Sequence, residues 1–287
     1  MSKPDALHTK IFLDSGDPAD TVAVKAALGW PDGQTTNPSL VAKHPEFQAC
    51  AKRSGGCQPE DLWNVYRTLV SEISRHVTDS VSIEVYADNT TSTDAMVAEG
   101  RELHTWIPNA HIKLPVNTAG LAAAEILVAD GIRVNVTLCF TQSQVAAVYA
   151  ATRGAALGAV YASPFIGRLD DQGQDGMSFI KNVVAMLDDS DGHVQLLAAS
   201  VRTVDHLMAS IAAEASIVTA PTDVLLEWAA AGRPLPDTSF VYEVGEKTPI
   251  QFEAIDMTAD WRTFDITHPL TTAGIERFAA DWNAALS

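Results

Sequence analysis

Eight short β-rich apolar runs alternate with longer helical stretches along the chain, and this alternation restricts the fold more than any other feature. The runs are KIFLDS (10–15), GQTTN (33–37), VSIEVYA (81–87), HIKLP (111–115), IRVNVTL (132–138), GAVYASPF (158–165), HVQLLAAS (193–200) and ASIVTAP (215–221). Helix signals lie between them. Asp17 can cap and Pro18 suits a first turn. Leu62, Tyr66, Leu69, Ile73 and Val77 recur at three- and four-residue steps and predict one apolar face. TAGLAAAEILVADG and FTQSQVAAVYAATRG each end at a glycine suited to a helix C-terminus. Strand and helix repeated eight times predict parallel β/α units, and eight such units close a (β/α)8 TIM barrel. An open doubly wound sheet is the alternative, but no GxGxxG follows the first strand. The 287 residues suit one such domain.

The alternation stops near residue 231, which places the barrel in 1–231 and an extension in 232–287. SFVYEV and PIQFEAI, flanking GEKT, read as a hairpin. THPLTTAGIERFAADWNAALS reads as a terminal helix with Ile275, Phe278 and Trp282 on one side, packed on the barrel. The 35-residue insertion before it is expected either across the barrel mouth, shaping a substrate site, or over an edge, where it would set a homo-oligomer.

With 19 basic and 36 acidic residues, the formal charge is −17, which disfavours nucleic acid and anionic membranes as partners. An anionic substrate then needs locally placed arginines. No apolar leader or membrane-spanning window is visible, so a soluble cytoplasmic protein is expected. Cys50, Cys57 and Cys139 suggest no disulfide framework and no zinc site, and Cys139 reads as a packed apolar residue.

Active sites of such barrels form at the carboxyl ends of the strands, so polar residues late in apolar strands are the informative ones. The chain offers Asp14; Thr35, Thr36 and Asn37; Glu84, sharing a face with Ser82 and Tyr86; Lys113; Asn135 and Thr137, in phase with Arg133; Ser163 and the loop PFIGRLDD; and Ser200 with Arg202. Each has a bland alternative. Strand-end polar residues cap helices, Glu84 and Lys113 can form an internal salt bridge, and Arg168 and Arg202 can be solvated. Their convergence on one rim favours a site. A lysine within an apolar strand is unusual, because burial disfavours the ammonium, and the neutral amine is a nucleophile. It attacks a ketone to give a Schiff base, an electron sink for breaking the neighbouring carbon–carbon bond. Asp14 and Glu84 can divide the proton transfers, and Arg168 and Arg202 suit a phosphate. A metal-dependent aldolase is disfavoured because the eight histidines are scattered. His111, in phase with Lys113, reads as structural.

In IFLDSGDP, GQTTNPSLVAKH, SIEVYA, HIKLPV, VNVTLCFTQSQ, YASPFIGRLDD, AASVRT and HPLTTAGIERFAADW, in this order over nearly the whole chain, the sequence resembles the transaldolase family of Schiff-base-forming barrels. The resemblance implies a (β/α)8 barrel with Lys113 as the Schiff-base lysine. Asp14 would be the acid/base, and Glu84 would act through a water held with Thr137. Asn37, Asn135 and Ser163 would bind the dihydroxyacetone part of the donor, and Arg168, Ser200 and Arg202 the sugar phosphate. The implied reaction is reversible transfer of dihydroxyacetone between sugar phosphates in the pentose phosphate pathway, without metal or organic cofactor. Relatives that release dihydroxyacetone, the fructose 6-phosphate aldolases, carry glutamine at the position of Glu84 and tyrosine at that of Phe165, so transfer is favoured over cleavage. A non-catalytic sugar-phosphate-binding barrel is the remaining alternative. The phosphate motif departs from the family pattern Ser-Phe-Arg-Asn, reading SVRT from Ser200 to Thr203.

Overall fold

The computed structural model describes residues 2–53, 57–188 and 190–286. Its strands are β1 (Lys10–Asp14), β2 (Gly33–Thr35), β3 (Ser80–Glu84), β4 (Ala110–Pro115), β5 (Val134–Cys139), β6 (Val160–Pro164), β7 (Gln174–Asp175), β8 (Val194–Ala198), β9 (Ile217–Ala220) and β10 (Thr248–Pro249). Eight of them close a parallel barrel in the order β1-β2-β3-β4-β5-β6-β8-β9. All eight runs anticipated from the sequence are strands of this barrel, which excludes the open sheet. The helices are α1 (Pro18–Leu28), α2 (Pro38–Val41), α3 (Pro45–Ala51), α4 (Pro59–Ser74), α5 (Thr93–His104), α6 (Thr118–Ala129), α7 (Gln142–Ala151), α8 (Ile166–Asp170), α9 (Gly176–Leu187), α10 (Val204–Ala212), α11 (Thr222–Ala230) and α12 (Pro269–Asn283). None of the described helices is long and apolar enough to cross a membrane.

Local chemistry sets the helix starts. Asp17 accepts the Ala19 N–H ahead of Pro18, Asn37 accepts from Leu40 ahead of Pro38, and Thr141 and Gln144 form a capping box on α7. In α4 the expected face, Leu62, Tyr66, Leu69 and Ile73, is buried; Val77 is also buried, beyond the helix end.

Register places the polar residues. Asp14 pairs with Thr35, Thr35 with Ser82, and Ser82 with His111. Two residues further along, Glu84 pairs with Lys113, Lys113 with Asn135, and Asn135 with Tyr161, while Thr137 pairs with Ser163. Register partners in a parallel sheet point to the same side, and residues two apart on a strand share a face. These ten side chains therefore form one set, turned into the barrel. At its lower level His111 stacks on Tyr161 with 4.0 Å between ring centroids, and its Nδ1 lies 2.8 Å from Ser80 Oγ. Burial pushes the imidazole down to about 3, which keeps it neutral, in line with the structural role expected of His111.

The extension departs from expectation. No hairpin forms from SFVYEV and PIQFEAI; Thr248–Pro249 instead pairs in parallel with Gln174–Asp175. The segment runs back along the outer wall. Tyr242 Oη lies 2.9 Å from His206 Nε2 on α10, and Ser178 Oγ on α9 accepts the Ile250 N–H at 2.8 Å. Gln142 on α7 bonds both backbone groups of Glu253, and Arg262 pairs with Glu125 on α6 at 2.8 Å. Alternating apolar residues such as Tyr242, Ile250 and Ile255 pack against the barrel rather than against each other. This strap delivers α12 to the mouth of the barrel, where Ile275, Phe278 and Trp282 are buried as expected.

One reading from the sequence is corrected outright. Cys50 and Cys57 form a disulfide, because the end of α3 and the start of α4 bring their Cα atoms within 5.3 Å. With Asp61 they form the only metal-capable group of three side chains found among the described residues, and its two sulfurs are bonded to each other. Cys139 is buried, and burial pushes its thiol up to about 12.

Candidate active site

A cavity of about 280 Å³ opens at the carboxyl ends of the strands. Asp14, Asn37, Lys113, Thr137, Ser163, Phe165, Arg168, Ser200 and Arg202, all anticipated from the sequence, line it. Glu84 and Asn135 are not among its lining residues but are buried beside those that are.

Lys113 is 3 % exposed. Its Nζ lies 3.0 Å from Glu84 Oε2 and donates to the Thr36 carbonyl at 3.1 Å. The Glu84 contact is an ion pair rather than an aligned hydrogen bond, since Oε2 has no partner of good hydrogen-bond geometry among the described residues. Burial raises the Glu84 carboxyl above its ordinary value; the positive charge of the adjacent Lys113 opposes this, and Asp14 adds to it. Asp14 is likewise raised by burial, against the opposing pull of Lys113, of a hydrogen bond from Thr35 Oγ1 at 2.6 Å, and of Lys43. Both carboxyls are thus stronger bases than free ones and hold a proton more readily.

The other polar groups are mostly committed. Ser163 Oγ donates to Asn135 Oδ1 at 2.6 Å, and Asn135 Nδ2 donates to Ser82 Oγ at 3.0 Å. Asn37 spends Oδ1 on the Leu40 N–H at 2.9 Å, leaving its Nδ2 to donate. Thr137 Oγ1 is buried and has no hydrogen-bond partner among the described residues.

The rim is cationic. The Arg168 guanidinium sits 5.3 Å from the Phe165 ring centroid and 5.6 Å from that of Phe278, so it is held between two aromatic faces. Arg202 pairs with Asp171 at 2.9 Å and stays half-exposed at the lip. Gly167 makes this approach possible, because a Cβ there would meet Ser200 O at 2.4 Å and Arg202 Nε at 2.7 Å. Ser200 itself adopts φ 60°, a left-handed conformation that an L-residue reaches only at a cost. In SVRT, Val201 lines the cavity and Thr203 caps α10, a task asparagine performs equally well.

Sequence reasoning missed several residues. Lys43 stands in the loop after α2, and Arg277 and Phe278 come from α12; all three line the cavity. Phe278 stood in the predicted apolar face, one position after Arg277, and that face closes the site. Thr219 on β9, a polar residue of the eighth run, contacts Thr35 Oγ1 at 2.7 Å. Tyr66, read only as part of an apolar face, has its hydroxyl 2.5 Å from Thr36 Oγ1 and accepts the Glu84 N–H at 3.0 Å. It joins the backbones that carry both contacts of Lys113. None of residues 232–267 lines the cavity, so the strap does not lie across the mouth.

Behind Glu84, Glu99 on α5 accepts the Tyr86 N–H at 3.0 Å, and burial pushes its carboxyl from 4.5 up to about 8. The folded value exceeds the unfolded one, so stability falls as pH rises from about 4.5 to about 8 and then levels. Glu99→Gln keeps the accepting oxygen and removes the ionisation. Urea unfolding should show it more stable than the parent at pH 9 by on the order of 2 kcal/mol, with the difference vanishing near pH 4.5. An equal offset at both pH values would contradict the assignment.

The model of the family described as Transaldolase/Fructose-6-phosphate aldolase matches residues 11–287. A probable transaldolase of Caulobacter sp. (strain K31) is 36% identical over 273 residues, covering 95% of this chain and 96% of its own length. One of Roseiflexus castenholzii is 34% identical over 275 residues, covering 96% and 97%. The chain therefore belongs to the transaldolase/fructose-6-phosphate aldolase family.

Proposed function

We propose that the protein is a transaldolase, moving a dihydroxyacetone unit reversibly from a ketose phosphate to an aldose phosphate through a Schiff base on Lys113. The observation that carries this reading is a buried lysine, flanked by a carboxyl whose proton affinity is raised, at the base of a cavity with a cationic rim. Lys43, Lys113, Arg168, Arg202 and Arg277 line the cavity with Asp14 as the one carboxylate, in a chain of net charge −17. That local reversal of sign favours an anionic substrate.

The Lys113 amine adds to the C2 ketone of fructose 6-phosphate or sedoheptulose 7-phosphate, and loss of water gives the iminium. Asp14 removes the C4 hydroxyl proton; the C3–C4 bond breaks, its electrons pass to the iminium, and the aldose phosphate leaves. The resulting enamine attacks the aldehyde carbon of glyceraldehyde 3-phosphate or erythrose 4-phosphate. Asp14 returns its proton to the new hydroxyl, and water releases the product ketose. Glu84 serves the formation and hydrolysis of the Schiff base through a water, for which the unpartnered Thr137 hydroxyl is a suitable holder. Asn37, Asn135 and Ser163 bind the three-carbon unit. Ser200, Arg168 and Arg202 hold the phosphate. On this reading the reaction is a step of the pentose phosphate pathway, carried out in the cytoplasm.

Phe165 supports transfer over release, because its ring gives the enamine no proton donor where a tyrosine would give one. With fructose 6-phosphate and erythrose 4-phosphate the product should be sedoheptulose 7-phosphate, formed only when both are present. Free dihydroxyacetone accumulating without acceptor would make the protein an aldolase. Arg202→Ala should raise KM for fructose 6-phosphate by about 10- to 50-fold, far more than for free dihydroxyacetone. Equal effects on the two donors would remove Arg202 from the phosphate site.

A further inference from the structure

We infer that Arg277, on the terminal helix α12, is a third ligand of the substrate's anionic group, which thereby fastens this helix to the barrel rim. The inference rests on the sugar-phosphate reading above and adds to it a residue outside the (β/α)8 core.

Arg277 lines the same cavity as Arg168 and Arg202. Gly274, Arg277 and Phe278 are spaced so that they share one helix face. The first and last of them fix how that face meets the rim. A Cβ on Gly274 would lie 2.8 Å from Arg168 Nη1 and 2.6 Å from Leu138 Cδ2, so at this glycine the helix backbone packs directly against both side chains. Phe278 then covers the Arg168 guanidinium at 5.6 Å. One turn beyond Gly274, Arg277 is carried to the same place, and its only ion pair found among the described residues is a long one, 3.8 Å to Asp281.

Three guanidiniums gathered at one lip repel one another. Burial, followed by Arg277 and then Arg202, makes the charged form of Arg168 harder to hold. Asp171 offsets Arg202, whereas among the described residues no carboxylate forms an ion pair with Arg168, and Glu84 and Asp171 support its charge only weakly. A phosphate, with several acceptor oxygens and up to two charges, relieves this repulsion and can accept from more than one guanidinium. Because Arg168 and Arg202 belong to the barrel and Arg277 to α12, the same anion ties both. Phosphorylated sugars would then close the site more firmly than neutral ones, which makes Arg277 a determinant of specificity.

The test is calorimetric titration of the full chain with inorganic phosphate, alongside the transfer assay on the same preparations. Arg277→Ala should weaken phosphate binding roughly three- to fivefold, the size expected for a charged contact made by an exposed arginine. Arg277→Glu should weaken it further and Arg277→Lys should restore part of it. Arg67→Ala, which removes a positive charge from α4 outside the cavity, should leave the affinity within twofold. Arg277→Ala within twofold of the parent, a loss matched by Arg67→Ala, or no phosphate binding by the parent would each overturn the inference. Transfer by the parent with an affinity indifferent to Arg277 would sink this inference alone. An Arg277-dependent phosphate site without transfer would sink the transaldolase reading and leave this one standing.

Discussion

Lys113→Met is expected to lose at least about 10⁴-fold in kcat while remaining folded. Methionine fills a similar apolar volume, so the strand keeps its packing, but no amine is left to form the Schiff base. Removing one member of a buried ion pair usually costs several kcal/mol, because it strands the other charge. Here the penalty should be smaller. Burial already raises the Glu84 carboxyl, and the charge of Lys113 is the largest influence opposing that rise. Without the lysine, Glu84 should take up a proton and stay neutral. The variant should therefore show a parent-like circular dichroism spectrum, with a stability loss that grows as pH rises. Turnover within tenfold of the parent would refute the assignment of Lys113.

Asp14→Asn should separate bond cleavage from adduct formation. Asparagine keeps an oxygen to accept from Thr35 Oγ1, as Asp14 does at 2.6 Å, but it cannot carry a proton at working pH. Loss of a positioned general base typically costs 10²–10⁴-fold, so kcat should fall by about that factor. The Lys113 amine remains, and borohydride should still trap the ketose on it. A kcat within tenfold of the parent, or loss of the trapped adduct, would show that Asp14 does not act on the C4 hydroxyl.

The barrel was legible because parallel strands buried on both faces read as short apolar runs, and because the few polar residues in them fall late and in phase. Asp14, Glu84, Lys113, Asn135 and Thr137 could be singled out on that ground before any register was known. The register then shows why they meet: Glu84, Lys113 and Asn135 are consecutive neighbours around the sheet. Contributions from helices and loops were harder to see. Tyr66 sits in a sound apolar stripe, and nothing in its spacing announces that its hydroxyl reaches the Glu84 N–H. Arg277 lies beside the buried face of α12, where an arginine ordinarily reads as solvated. The false hairpin has a similar cause. Alternation in SFVYEV and PIQFEAI signals residues half-buried on a surface, and that surface proved to be the helical wall. The disulfide was missed because the spacing of two cysteines seven apart does not say that the end of α3 and the start of α4 bring their Cα atoms within 5.3 Å.

The central claim is covalent chemistry at Lys113, and intact mass after mixing the protein with fructose 6-phosphate and borohydride tests it most directly. The expected product is a single reduced dihydroxyacetone adduct on the peptide containing Lys113, depleted when erythrose 4-phosphate is present. No adduct, or one on another residue, would contradict it.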